Sequence, residues 1–129
     1  MADPKKRVLV IDDASLVRMF YRDALERAGF DVDEAFNGLE ALEKLHDTAT
    51  DLLIVDVNMP QMDGVTFLKV LRRQTTDIAS IPALVTSTEA GPQDAEAARA
   101  AGANFYLVKP VDPAVLAEYA ALMCGAPDE

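Results

Sequence analysis

Apolar residues along this chain fall into runs of two kinds. Arg7-Val-Leu-Val-Ile11 and Leu52-Leu-Ile-Val55 are short, continuous and β-branched, the pattern of strands buried on both faces. Ala83-Leu-Val-Thr86, entered through Pro82, and Phe105-Tyr-Leu-Val108, stopped by Lys109-Pro110, are two further strands. From Phe30 to Phe36 apolar and acidic residues alternate, as in an edge strand with one wet face. Helical spacing fills the intervals. Leu16, Val17, Phe20, Ala24 and Ala28 form the inward stripe of a first helix that Gly29 ends. Leu39 to Leu45 follows Asn37-Gly38, and Val65 to Leu71 follows Asp63-Gly64. Gln93 to Ala101 follows Gly91-Pro92 and ends at Gly102, and Ala114 to Met123 follows Asp112-Pro113. Strand and helix thus alternate in βαβαβαβαβα order. That alternation requires parallel pairing through right-handed crossovers with helices on both faces. The predicted fold class is α/β: a doubly wound five-stranded parallel sheet in three αβα layers. No internal repeat or linker interrupts it, and residues 125–129 are expected to fray.

Composition narrows this to one domain over residues 1–129, with 50% apolar and 26% charged residues. The single Cys124 builds no internal bridge. A net charge of −10 repels phosphate backbones and anionic membrane surfaces, so nucleic acid is excluded as the expected partner. No apolar run approaches the roughly 20 residues that span a bilayer, and Met1 to Arg7 is a short polar lead without a signal-peptide core. The expected setting is cytoplasmic, without membrane insertion.

In an open parallel sheet a ligand binds outside the carboxyl ends of the strands. Here those ends are polar: Ile11 is followed by Asp12-Asp13, Val55 by Asp56, Val85 by Thr86-Ser87, and Val108 by Lys109-Pro110. Three carboxylates facing one ammonium leave the rim short of positive charge, which a divalent cation corrects. Magnesium suits an all-oxygen set of one or two carboxylates completed by a phosphate. Phosphoryl transfer needs an in-line nucleophile, a metal, a cation on the equatorial oxygens and a hydrogen-bond donor, and this rim offers each. Asp56 is the nucleophile candidate, because it ends the most apolar strand while the adjacent Asp12 and Asp13 can share a metal.

These residues resemble the receiver domain of two-component response regulators, most closely the single-domain chemotaxis type called CheY-like, whose fold is flavodoxin-like (βα)5. The resemblance rests on Val-Leu-Val-Ile-Asp12-Asp13, Asp56-Val-Asn58-Met-Pro60-Gln-Met-Asp-Gly64, Val-Thr86-Ser87 and Gly-Ala-Asn-Phe-Tyr106-Leu-Val-Lys109-Pro110, in that order over nearly the whole chain. It implies that Asp56 is the phosphoacceptor and that Asp13, Asp56 and the Asn58 backbone carbonyl bind Mg2+, with Asp12 acting through a metal-bound water. It further implies that Lys109 pairs with the phosphoryl oxygens across a cis bond to Pro110, that Thr86 is the switch hydroxyl, and that Tyr106 is the rotating aromatic. It also implies that Asn58 and Thr88 flank the path of the hydrolytic water. The implied partners are a sensor histidine kinase or phosphotransfer domain and a downstream protein that meets the fourth predicted helix, fifth strand and fifth helix of a monomer. Two positions depart from the pattern: Ser87 replaces a common alanine or glycine, and Phe105 adds an aromatic beside Tyr106. The implied output face is acidic, through Asp94, Glu96, Asp112 and Glu118, with no Lys or Arg after Lys109.

Several residues have plainer readings. Asp13 is placed to cap the first helix as well as to bind metal. Asp63-Gly64 and Pro60 are turn chemistry without a reactive role. His46 suits a helix end, and Lys5-Lys-Arg7 is a solubilising lead. Tyr21 lies on the polar side of the first stripe, for packing or exposure rather than partner contact. Lys69, Arg72 and Arg73 read as a solvated basic face.

Three other functions compete. A haloacid dehalogenase-type phosphatase uses a similar set, but its nucleophile comes first in an Asp-x-Asp motif, and here Asp56-Val-Asn58 lacks the second aspartate. A flavin carrier of the same architecture would have its phosphate repelled by Asp12-Asp13. A phosphorylation-independent receiver-like scaffold would lack at least one of Asp13, Asp56, Thr86 and Lys109. The sequence reading is therefore an isolated receiver that catalyses its own phosphorylation and hydrolysis without turning over an external substrate.

Overall fold

The computed structural model describes residues 5–59 and 62–124; Pro60 and the 125–129 tail, both read above, lie outside them. The strands are β1 (Arg7–Ile11), β2 (Asp31–Ala35), β3 (Leu52–Asp56), β4 (Ala83–Ser87) and β5 (Phe105–Val108). The helices are α1 (Ser15–Arg27), α2 (Gly38–Asp47), α3 (Gly64–Leu71), α4 (Thr76–Ala79), α5 (Pro92–Ala101) and α6 (Pro113–Cys124). All strand pairs are parallel, in the order β2-β1-β3-β4-β5. Chain order reverses between β1 and β3, which places a switch-point crevice at the carboxyl ends of these two strands. The predicted doubly wound sheet is what forms.

Two apolar layers cover the sheet. On one side Val8, Val10, Ile54 and Leu84 meet Tyr21 and Leu25 of α1 and Leu116 and Ala120 of α6. On the other, Leu9, Leu53 and Val85 meet Ala41 and Leu45 of α2, Phe67 and Leu68 of α3 and Ala98 of α5. Alternate residues of each central strand serve opposite layers, hence their unbroken apolar runs. β2 keeps the predicted wet face, and β5 is the other edge.

The inward stripe of α1 differs from the predicted one. Leu16 is 77% and Phe20 51% exposed, whereas Tyr21 is 3% and Leu25 0% exposed. The helix carries two adjoining apolar stripes, and docking against α6 and the sheet selects the one through Val17, Tyr21 and Leu25. Tyr21 is therefore packed, but on the buried side. α4 is an added single turn that the periodicity does not announce. Arg72 also departs from its reading as a solvated residue: its guanidinium donates to the Ala79 carbonyl at 2.7 Å, the Ile81 carbonyl at 2.6 Å and the Gly102 carbonyl at 2.6 Å. It ties α3 to α4, the approach to β4 and the end of α5. Lys69 and Arg73 are exposed as expected.

Candidate functional site

Strand alternation builds the site. Val10, Ile54, Leu84 and Leu107 all lie in the layer under α1 and α6. Two residues beyond each stands Asp12, Asp56, Thr86 or Lys109. The ladder runs one residue past β1 and β5, with Asp12 N–H donating to the Ala35 carbonyl and Lys109 N–H to the Ser87 carbonyl. The same side of the pleat is therefore kept. The four polar side chains continue the α1/α6 core beyond its apolar part.

Lys109 Nζ lies 3.0 Å from Asp56 Oδ1 and 3.2 Å from Asp12 Oδ2. Asp12 and Asp56 are almost fully enclosed, at 1% and 3% exposure, while Asp13 is exposed. Oxygens of Asp12, Asp13 and Asp56 all come within 4.8 Å of one another. Burial holds the Asp56 carboxyl above its ordinary value and the Asp12 charge adds to this, against the pull of Lys109 and of the Asn58 backbone N–H. Burial works against the Lys109 charge, but the Asp56 and Asp12 carboxylates outweigh it and hold the ammonium above its ordinary value. One cation thus serves two buried anions, with a third at the mouth.

Asp13 does not cap α1. The cap position is Ala14, without a side-chain bond, and it is Asp12 Oδ1 that accepts the Ala14 N–H at 2.9 Å. The helix starts one residue too late for Asp13 to reach its first turn, which leaves that carboxylate at the site. Asp63 does cap α3, accepting the Thr66 N–H at 2.8 Å. Gly64 has a role its turn reading omitted: a Cβ there would stand 2.6 Å from the Asp56 carbonyl oxygen and 2.9 Å from Val57 Cα. Only glycine lets this loop close on the backbone of the central aspartate.

Thr86 is 0% exposed, and its Oγ1 is buried without a hydrogen bond. Ser87 Oγ accepts the Glu89 N–H at 3.0 Å, a turn contact that alanine would lack. Tyr106, opposite Val85 in register, packs against the α2/α3/α5 layer and donates its hydroxyl to the Glu89 carbonyl at 2.6 Å. Phe105 lies edge-on to Tyr119 at 5.2 Å. The Lys109–Pro110 bond is cis, and Asn58 and Thr88 are both exposed. His46 is exposed near the end of α2.

Tyr21 is the member that periodicity missed. Burial holds its phenol above the ordinary value; Lys109 and the Thr86 hydroxyl pull it down, and Asp12 and Asp56 push it up. Its apolar helical spacing from Val17 and Leu25 was the available signal, masked by the competing Leu16–Phe20 stripe.

The donor set fits a small hard dication: carboxylate oxygens in excess of ammonium charge, on two buried side chains and one exposed one. A dication held there would offset the excess carboxylate charge around Lys109.

A family model described as the response regulator receiver domain matches residues 8–121. The chain is 40% identical over 124 residues to chemotaxis protein CheY1 of Helicobacter pylori (strain ATCC 700392 / 26695), covering 95% of this chain and 99% of that protein. It is 41% identical over 115 residues to the transcriptional regulatory protein PrrA of Mycobacterium leprae (strain TN), covering 89% of this chain and 47% of that protein. Among solved structures, chemotaxis protein CheY4 of Vibrio cholerae superposes with a TM-score of 0.88 at 35% identity, over 93% of this chain and 99% of that one.

Proposed function

The chain belongs to the response regulator receiver family, and from that premise we propose that it is a phosphorylation-driven switch of a two-component system. Asp56 takes a phosphoryl group from the phosphohistidine of a sensor histidine kinase or phosphotransfer domain. A carboxylate oxygen forms the new P–O bond as the P–N bond to imidazole breaks, and water later returns the carboxylate and releases inorganic phosphate. Mg2+ held by Asp13, Asp56 and the Asn58 carbonyl, with Asp12 supporting it through water, would supply charge neutralisation for the phosphoryl oxygens.

The chain's own residues divide the rest of the work. Burial fixes the Asp56 rotamer, so the nucleophile is aimed before the donor arrives. Lys109 leaves Asp56 to meet a phosphoryl oxygen while staying in reach of Asp12, and the Thr86 hydroxyl, which makes no bond in the present state, donates to another. The hydroxyl's movement changes the packing beneath Tyr106, which remodels the face of α5, β5 and α6 for a protein partner. Asn58 and Thr88 line the approach of the hydrolytic water. The observation that carries this reading is the single Lys109 ammonium shared by two buried carboxylates at the carboxyl edge of the sheet.

Receiver domains signal rather than turn over an external substrate, and the likeness to CheY1 and CheY4 supports a place in chemotaxis. A monomer acting in the cytoplasm, without nucleic acid, completes the reading. Among the described residues no helix is long and apolar enough to cross a membrane. Transfer is tested by mixing the protein with a labelled phosphohistidine domain and magnesium. Label moving to this chain supports the reading; label retained by the donor and absent from this chain contradicts it.

A further inference from the structure

Thr86 and Ser87 are the last two residues of β4, and strand alternation sends their side chains to opposite sides of the sheet. Thr86 follows Leu84 on the α1/α6 side, beside Asp56 in register. Ser87 follows Val85 on the α2/α3/α5 side, where Tyr106 packs. Both are fully buried. One planar peptide joins them, so a displacement of Thr86 toward Asp56 is a displacement of Ser87 as well. What the Ser87 side chain holds decides whether that displacement is felt on the far side.

Ser87 Oγ accepts the Glu89 N–H at 3.0 Å, and the Glu89 carbonyl accepts the Tyr106 hydroxyl at 2.6 Å. The first bond fixes the peptide unit that precedes Glu89, and the second fixes the unit that follows it. Both backbone torsions of Glu89 are set between them. With alanine at 87 the first bond is absent, and the carbonyl that anchors Tyr106 is tied to β4 only through the exposed Thr88. We infer that Ser87 is a positioning residue of the switch, whose hydroxyl carries the movement of Thr86 through the Glu89 backbone to the Tyr106 ring. The order is directional: Ser87 moves Glu89, and Glu89 moves Tyr106. The inference rests on the reading of Asp56 as phosphoacceptor and Thr86 as switch hydroxyl.

Wild type, Ser87→Ala and Tyr106→Phe are treated with acetyl phosphate and magnesium, with uptake followed by intact mass and the fold checked by thermal unfolding. The resonances of the Glu89 amide and the Tyr106 ring are compared before and after. In the wild type both shift on phosphorylation. Ser87→Ala takes up the phosphoryl group, but both shifts fall about two- to fivefold, the population change that one net hydrogen bond supports. In Tyr106→Phe the Glu89 amide still shifts, because the bond that drives it is intact. Ser87→Cys keeps the bulk and offers only a weak acceptor, so its shifts fall too; a loss confined to Ser87→Ala marks packing alone and overturns the inference. Equal shifts in wild type and Ser87→Ala, no shift in the phosphorylated wild type, or loss of the Glu89 shift in Tyr106→Phe also overturns it and leaves the phosphoacceptor reading intact. A wild type that takes no phosphoryl group overturns both.

Discussion

Lys109 Nζ stands 3.0 Å from Asp56 Oδ1, bringing the ammonium that follows β5 onto the carboxylate that ends β3. The Asp56 carboxyl is already held above its ordinary value, chiefly by burial. A carboxyl shifted upward in the folded state favours folding below its unfolded value, and that contribution disappears as pH rises through the folded one. Lys109 limits this loss near neutrality. Lys109→Met should thus destabilise the metal-free protein by about 1–3 kcal/mol at pH 7, and the gap should narrow below about pH 4, where the Asp56 carboxyl is protonated. Urea unfolding at the two pH values measures it; a gap that does not depend on pH contradicts the assignment.

Excess carboxylate charge makes a second prediction. Millimolar magnesium should raise the thermal midpoint of the wild type by about 2–4 °C, the response of a domain this size to about 1 kcal/mol of binding energy. Asp13 is exposed and makes no cap. Asp13→Asn should leave the metal-free midpoint almost unchanged and abolish most of the magnesium response. Equal responses in both proteins would remove Asp13 from the metal site.

Arg72 is a structural clamp whose removal leaves carbonyls of Ala79, Ile81 and Gly102 without their donor. Arg72→Ala should destabilise the fold by about 2–4 kcal/mol, with Arg72→Lys recovering less than half, because one ammonium cannot span three carbonyls as a guanidinium does. Denaturant titration distinguishes this from the near-zero effect of a solvated residue.

Glu34 on β2 accepts from Arg18 at 2.9 Å and Arg22 at 2.8 Å. These guanidiniums, Arg22 first, hold its carboxyl below the ordinary value. A lowered folded value contributes stability above the unfolded value and loses it as pH falls through the folded one. Glu34→Gln should cost about 0.5–1 kcal/mol at pH 7, the range of partly exposed pairs, and nothing at pH 2.5. A cost that persists in acid would assign the effect to packing.

The strands and the site were legible because each depends on a short stretch of sequence. Val-Leu-Val-Ile and Leu-Leu-Ile-Val are short, continuous and β-branched, which suits strands buried on both faces, and the polar residues that end them converge once the strands run parallel. What stayed hidden depends on contacts across the fold. Leu16 and Phe20 compete with Tyr21 and Leu25 for the inward side of α1, and only docking decides between them. Arg72 reads as one charge among three until α4 and the end of α5 present their carbonyls. Gly64 reads as an ordinary turn glycine until the loop closes on Asp56.

The central claim is that Asp56 accepts a phosphoryl group with magnesium. Intact mass measured after incubation with acetyl phosphate, for wild type and Asp56→Asn, with magnesium and with chelator, tests it most directly. The account predicts the gain of one phosphoryl group in the wild type with magnesium only, and none in Asp56→Asn. A gain that persists in Asp56→Asn, or a wild type that never gains mass, would contradict it.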